Sequence, residues 1–374
     1  MINKFQTKKI LGGKMVKRVH NFSAGPAVLP VEVLLEVQQE LVSYKGKGLS
    51  VMEMSHRSVE FQAIMDDAIN DVKSILNLGD DYEVLFLQGG ASTQFFMIPL
   101  NFCPDDKVAN YINTGAWATK ALKEAQKNGW KMHVAASSED KQFTYIPKHY
   151  TISENPAYLH ITTNNTIRGT EFKTDLDIGD IPLIADMSSN IMSKPFDVQK
   201  YAMIYAGAQK NIGPAGTCLV IIRKDMTEKI NPGLPTMMDY NTHISKGSMF
   251  NTPPCFAIYV VGRVLKWILA KGGLQAIEKI NIEKANYVYD ILDSSDFYEG
   301  TVVREDRSMM NIPFRLPSEE LEKKFIAESK EMGMLNLKGH RSVGGCRASL
   351  YNSLPMKAAQ DLAQFMIEFE KKNK

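Results

Sequence analysis

The chain has 374 residues, 44% hydrophobic and 23% charged, the balance of a globular protein with length for two or three domains. Its 44 basic and 42 acidic side chains leave a formal charge of +2, which offers no footprint for nucleic acid or another polyanion. Four cysteines no closer than 37 positions, and seven histidines without ligand spacing, argue against a disulfide framework or a metal and suit a reducing cytoplasm.

The first twenty residues hold six Lys/Arg and no acid. They lack the continuous apolar run of a signal peptide, and one Arg and no Ser fit a transit peptide poorly. Residues 1–19 are therefore expected to be a disordered extension, with Met15 as an alternative start. From Val31 onward helical and strand patterns alternate. Leu34, Leu35, Gln38 and Leu41, then Phe61, Ile64, Met65, Ala68, Ile69, Val72, Ile75 and Leu76, recur at the three-and-four spacing of amphipathic helices. Apolar runs follow at Val84–Leu87, Val108–Ile112, Met132–Ala135, Tyr158–Ile161, Leu183–Ala185, Met203–Tyr205 and Cys218–Ile222. Helical stretches such as Ser92–Leu100 and Trp117–Lys127 sit between several of them. Apolar runs without alternation, separated by helices, predict a mainly parallel sheet covered on both faces.

The composition shifts near Asn251-Thr-Pro-Pro. The longest apolar stretch, Cys255–Ala270, carries Arg263 and Lys266 and is too short to span a membrane, so it reads as a soluble helix. A second helix runs from Leu274 to Leu292. Val302–Val303, Met309–Arg315 and Ser342–Leu350 read as antiparallel strands around a helix near Ser318–Met332. Leu362, Phe365, Met366 and Phe369 mark one face of a C-terminal helix after Pro355. The layout predicts a large α/β domain over 31–270. A smaller α+β domain is expected over 271–374, joined by residues 20–30.

Three features at strand ends carry chemistry. Gln88-Gly-Gly-Ala-Ser-Thr turns a strand into a helix whose free N–H groups suit a phosphate; neither a Walker loop nor GxGxxG is present. Asp186 ends Ile181-Pro-Leu-Ile-Ala-Asp, where α/β sheets bind ligands, although an Asp there also serves as a simple cap. Lys210 follows a strand too apolar to be exposed, and desolvation there favours the neutral, nucleophilic amine. A phosphate cradle, a strand-end acid and a strand-end lysine are what pyridoxal phosphate needs. Trp117 offers a ring to stack on it. His56-Arg57, His340-Arg341 and Arg347 form a cationic set. A buried, unpaired Arg347 would be costly without a bound carboxylate or phosphate.

At these residues the sequence resembles a known family. Asn21-Phe-Ser-Ala-Gly-Pro, Glu53-Met-Ser-His-Arg-Ser, Gln88-Gly-Gly-Ala-Ser, Ala208-Gln-Lys-Asn-Ile-Gly-Pro-Ala-Gly, Asn251-Thr-Pro-Pro and Gly339-His-Arg-Ser-Val-Gly-Gly-Cys-Arg-Ala-Ser resemble the phosphoserine aminotransferases, in order from residue 20 to the C-terminus. The resemblance implies the aspartate-aminotransferase-like fold (fold type I), pyridoxal phosphate, and a homodimer with shared active sites. It implies Lys210 as the lysine that binds the cofactor covalently and Asp186 as the partner of the pyridinium. Trp117 would stack on the ring, Thr166 would approach it, and Ala91, Ser92 and Gln209 would surround the phosphate. Asn251 and Thr252 would arrive from the other subunit. Arg347 would take the substrate carboxylate; His340 and Arg341, with His56 and Arg57 of the partner chain, would take the substrate phosphate. The implied reaction is reversible transfer of an amino group between phosphoserine and 2-oxoglutarate, giving 3-phosphooxypyruvate and glutamate, in serine synthesis. Activity on phosphohydroxythreonine in vitamin B6 synthesis is also implied.

Two rival readings stand beside it. A cysteine desulfurase needs an exposed nucleophilic Cys, and Cys346, flanked by Gly345 and Arg347, reads as a small strand residue. A non-catalytic phosphate-binding protein does not require a neutral lysine opposite an acid.

Overall fold

The computed structural model describes residues 7–11 and 14–374. Within the stretch expected to be a disordered extension, β1 (Thr7–Leu11) and β2 (Lys14–Arg18) pair as an antiparallel hairpin; residues 1–6, 12 and 13 lie outside the described residues. The short β3 (His20–Asn21) follows, then α1 (Val31–Glu40) and α2 (Val59–Leu76). The ends of α2 are locally encoded. Ser58 Oγ accepts from the Phe61 amide at 3.2 Å, and Asn77 closes the helix in the left-handed region at φ 51°, a conformation Asn tolerates.

From α2 the chain alternates through β4 (Tyr82–Leu87), α3 (Gly90–Phe102), β5 (Val108–Asn113), α4 (Ala116–Lys127), β6 (Met132–Ser137), β7 (Pro156–Thr162), β8 (Leu183–Asp186), β9 (Met203–Gly207) and β10 (Cys218–Arg223). These seven strands form one sheet in the order β4-β10-β9-β8-β7-β5-β6. Only β10 runs antiparallel, to both β4 and β9. All the other strands therefore end on the same edge, and their exits deliver Gln88, Thr114, Thr163, Asp186 and Ala208 to one place. Such an edge is where open α/β sheets bind ligands.

Both sheet faces are covered, which is why the strands lack alternation. In β10, Leu219 and Ile221 join a core with α2, α7 (Cys255–Ala270) and the start of α8 (Gly273–Ser294). Cys218, Val220 and Ile222 face the other way, toward α3 and α4. Successive side chains of a strand point to opposite faces, so a strand buried twice must be apolar throughout. Two short helices, α5 (Lys224–Thr227) and α6 (Tyr240–Ser245), lie between β10 and α7.

The chain then builds a second core. β11 (Glu299–Gly300), β12 (Asn311–Arg315) and β14 (Cys346–Ser349) form an antiparallel sheet, and β13 (Met334–Leu335) pairs in parallel with β3. α9 (Glu319–Glu331) and α10 (Met356–Asn373) cover it. Phe22 and Val28 also belong to this core, so the N-terminal segment is built into the C-terminal part. The 22-residue α8 spans both: Leu274 and Ile277 pack in the first core, Ala285, Val288 and Ile291 in the second.

Two strand expectations fail for local reasons. Val302–Val303 is not a strand; the pairing residues are Glu299–Gly300, because the chain turns at Arg304–Asp306 into a 3-10 helix. The strand expected from Ser342 begins only at Cys346. Gly344 and Gly345 take φ of 76° and 68°, values closed to an extended strand and open to glycine.

Phe325 is the centre of the second core, fully buried against Phe314, Phe365 and Phe369 with ring centroids 4.9–5.7 Å apart. Replacing Phe325 by Ala should cost about 3–5 kcal/mol, read as a lower denaturant midpoint. A loss near zero would mean that this core contributes little to stability.

Candidate active site

Lys210 sits three residues beyond β9, in a loop closed by amides of Ile212 and Gly213 donating to Ala208 O. It is only 9% exposed. Nζ donates to Thr166 Oγ1 at 2.7 Å and lies 5.8 Å from the centroid of the Trp117 ring. Burial lowers the ammonium from its ordinary 10.5 to about 8; Arg347 adds to the shift and Asp186 opposes it. At neutral pH a useful fraction of this amine is therefore uncharged, which an exposed lysine does not offer.

Asp186, at the end of β8, is 4% exposed. Burial raises its carboxyl above the usual value, while Ser188 and Lys210 hold it down. The Ser188 amide donates to Oδ1 at 2.9 Å, and Ser188 Oγ accepts from the Gly207 amide at 3.1 Å. Ser188 thus ties the acid to the end of β9. The sequence reading passed over it, although an Asp-X-Ser run at a strand end is a signal for such a turn.

Thr166 joins two of the expected residues. Its hydroxyl takes the Lys210 bond, and its carbonyl accepts from Arg347 Nη1 at 3.0 Å. Burial lowers the Arg347 guanidinium from its usual value, and the Thr166 carbonyl is a neutral partner. Opposite it, His340 is drawn below 6.5 by burial first, then by Arg347, Arg341 and Lys120. The Ser342 amide donates to His340 Nδ1 at 3.2 Å, which leaves Nε2 to carry the proton of the neutral ring. Lys120 is a second residue the sequence reading missed. One helical turn beyond Trp117 on α4, its Nζ lies 4.1 Å from the Trp117 ring centroid.

The glycine turn into α3 has the expected form. Gly89 and Gly90 have φ of 84° and 63°, no side chain caps the first amides, and no acid occupies the first turn. A Cβ on Gly90 would meet nothing within 4 Å, so the turn carrying Ala91 and Ser92 faces open space. Gln209 lies between this edge and the N-terminal segment, its carbonyl accepting from the Ala27 amide at 2.8 Å.

Of the remaining expected residues, Asn251 and Thr252 lie beside this glycine turn and His56 and Arg57 lie apart from it. Asn251 and Thr252 are exposed; Gln88 Nε2 donates to Thr252 O at 2.9 Å. His56 and Arg57 occupy the turn before α2, and no hydrogen bond or ion pair among the described residues links them to Lys210 or Arg347.

The arrangement fits pyridoxal phosphate. A buried carboxylate lacks a contacting cation among the described ion pairs, the amides of α3 are uncapped, and Trp117 Nε1 and Thr162 Oγ1 are buried without hydrogen-bond partners. These are the complements of a pyridinium, a phosphate and a polar ring. If Lys210 has the depressed pKa, reductive labelling of the apoprotein by a small aromatic aldehyde should rise with pH around a midpoint near 8. A midpoint near 10.5 would show an ordinary lysine.

Residues 19–362 match the class-V aminotransferase family. A phosphoserine aminotransferase of Desulfatibacillum aliphaticivorans is 56% identical over 360 residues, 96% of this chain and 100% of that protein. The structure of phosphoserine aminotransferase from Bacillus circulans subsp. alkalophilus superposes with a TM-score of 0.94 at 49% identity, covering 96% of this chain and 99% of that one. The pyridoxal-phosphate-bound enzyme of Trichomonas vaginalis gives 0.90 at 39% identity, with 94% and 100% coverage. With this agreement over nearly its full length, and with the fold and strand-end residues described above, the chain belongs to the phosphoserine aminotransferase family of class-V aminotransferases.

Proposed function

We propose that the protein is a pyridoxal-phosphate-dependent transaminase that exchanges the amino group of phosphoserine for the keto group of 2-oxoglutarate, giving 3-phosphooxypyruvate and glutamate. The observation that carries this reading is the Lys210–Thr166–Arg347 connection. It holds a partly neutral amine and a carboxylate-binding guanidinium on one residue, as a reaction at the carbon beside a carboxylate requires. The bound cofactor supplies the electron sink that makes loss of the Cα proton feasible.

The chain's residues supply the rest. Lys210 would hold the cofactor through its amine and, once the substrate amine has taken that place, would be the base that takes the proton from the substrate Cα. Asp186 would be the partner of the protonated ring nitrogen, since a buried carboxylate beside a cation returns to its ionised form. Trp117 and Thr166 fix the ring. The uncapped amides at Ala91 and Ser92, with Gln209, receive the cofactor phosphate. Arg347 binds the α-carboxylate common to all four substrates. His340 and Arg341 meet the distal anion, whose charge favours the His340 proton that burial and the neighbouring cations disfavour.

His56, Arg57, Asn251 and Thr252 are assigned to the neighbouring site of a homodimer. Val42 and Val59 are 80% exposed and Met52 60% exposed, and Met52 and Val59 flank the His56–Arg57 turn. Apolar side chains around a cationic turn suit a surface that a second copy covers. The four cysteines are free thiols, which suits the cytoplasm, and no described helix is long and apolar enough to cross a membrane.

Mixing Lys210→Ala with Arg57→Ala chains, each inactive alone, should restore part of the activity. One of the two sites in a heterodimer then keeps both wild-type residues. Failure despite proven heterodimers would place Arg57 on its own chain's site. Substrate choice tests the reading as a whole. Alanine offers no distal anion and leaves Arg341 and His340 unpaired, so phosphoserine and glutamate should be preferred by orders of magnitude. Arg341→Ala should lower kcat/KM for phosphoserine by about 10- to 100-fold, the value of a charge-assisted bond, and leave alanine nearly unchanged. Equal losses would remove the distal-anion role, and equal use of alanine by the wild type would remove the substrate assignment.

A further inference from the structure

Two lysines are buried among the described residues, Lys210 and Lys284, and Lys284 is fully so. It lies on α8, away from the sheet edge. Burial pushes its ammonium down to about 7, and no acid opposes the shift. Its partners are three successive backbone carbonyls: Leu350 O at 3.1 Å, Tyr351 O at 2.8 Å and Asn352 O at 3.3 Å. Only the charged form has three N–H groups to fill all three, so the carbonyl cage and the burial work against each other.

Those carbonyls belong to the segment that leaves β14, three to five residues beyond Arg347. The same segment is held from other sides. The Asn352 amide donates to Asn211 Oδ1 at 3.0 Å, and Asn211 is the residue after Lys210. Asn352 Nδ2 donates to Met192 O at 2.8 Å, in the turn that follows Asp186. Asn281, one turn before Lys284 on α8, donates to Asn352 Oδ1 at 2.8 Å and to Ser193 O at 2.9 Å. The strand exit beyond Arg347, the loop of Lys210, the turn after Asp186 and α8 thus converge on one buried polar node.

We infer that Lys284, through this node, is a positioning residue that fixes the spacing between Arg347 and Lys210. The inference rests on the reading of those two residues given above. Arg347 grips the carboxylate on the carbon whose proton Lys210 must take, so the two groups must sit a fixed distance apart. They come from segments 137 positions apart in sequence, and a hydrogen-bonded node of short, buried side chains defines that spacing where apolar packing would let it slide. An apolar side chain of the same length would fill the space as well as Lys284 does. It would leave three converging carbonyls without donors, and the exit from β14 would no longer be held.

The test uses the purified holoenzyme carrying Lys284→Met, with phosphoserine deuterated at Cα. The expected result is a kcat at least tenfold lower, a KM within threefold of wild type, and a larger primary isotope effect. Substrate still docks on Arg347, but the proton sits badly for Lys210 and its transfer becomes slower relative to other steps. A node that merely stabilises the fold would lower the melting temperature and the active fraction, leaving the isotope effect unchanged. Phe325→Leu, in the second core, serves as that comparison. Lys284→Arg, which keeps the donors, should recover part of kcat. If Lys284→Met does not fold, Asn352→Ala removes side-chain bonds of the same node and should show the same pattern. An isotope effect and kcat within twofold of wild type in the folded variant would overturn the inference. Full turnover in Lys210→Ala would instead overturn the reading on which it rests.

Discussion

Burial of the Lys210 amine at the carboxyl edge of a parallel sheet is the constraint on which the rest of the site depends. An ammonium withdrawn from water is destabilised relative to the amine, and the fold moderates that effect with Asp186 on one side and adds to it with Arg347 on the other. The result is a lysine near 8, close enough to neutrality for an amine to act as a nucleophile or a base. The segments that the large sheet brings to it come from the ends of strands that run in the same direction, so five chain segments far apart in sequence meet at one edge, and Arg347 reaches them from β14 of the smaller sheet.

The same pocket carries an excess of positive charge. Burial first, and then Arg347, Arg341 and Lys120, draw His340 below its ordinary value, and Arg347 has a carbonyl as its hydrogen-bond partner. Such a cluster is costly in an empty protein and becomes favourable when anions enter, which is how an anionic substrate is selected over a neutral one. Stability is given up locally in exchange for discrimination, and the two apolar cores on either side of α8 hold the cluster in place. A polar node of asparagines and Lys284 connects those cores just behind the site.

Much of the fold could be read directly. The seven apolar runs of the large sheet all became strands, because a strand buried on both faces must be apolar at every position. The helices were legible from their periodicity, as with Phe61, Ile64, Met65 and Ala68 along α2. The errors arose where backbone geometry overrides composition. Ser342–Gly345 looked strand-like, but two glycines with positive φ make a turn there, and Val302–Val303 lost its pairing to the neighbouring Glu299–Gly300. The antiparallel direction of β10 left no mark in its sequence, since its side chains are buried whichever way it runs.

The sequence by itself determined the chemistry available: a lysine and an acid at strand ends, an uncapped glycine turn, and arginines in glycine-bounded loops. These are local features, carried by a few consecutive residues, and the resemblance to the phosphoserine aminotransferases attached to them residue by residue. Tertiary structure alone decided which of them meet. Thr166 bridging Lys210 to Arg347, Ser188 tying Asp186 to β9, and Lys284 caging three carbonyls are contacts between segments up to 181 positions apart. No local pattern encodes such a meeting. Pairing across that separation is set by sheet order and by which buried polar groups can satisfy one another, and those are properties of the packed chain.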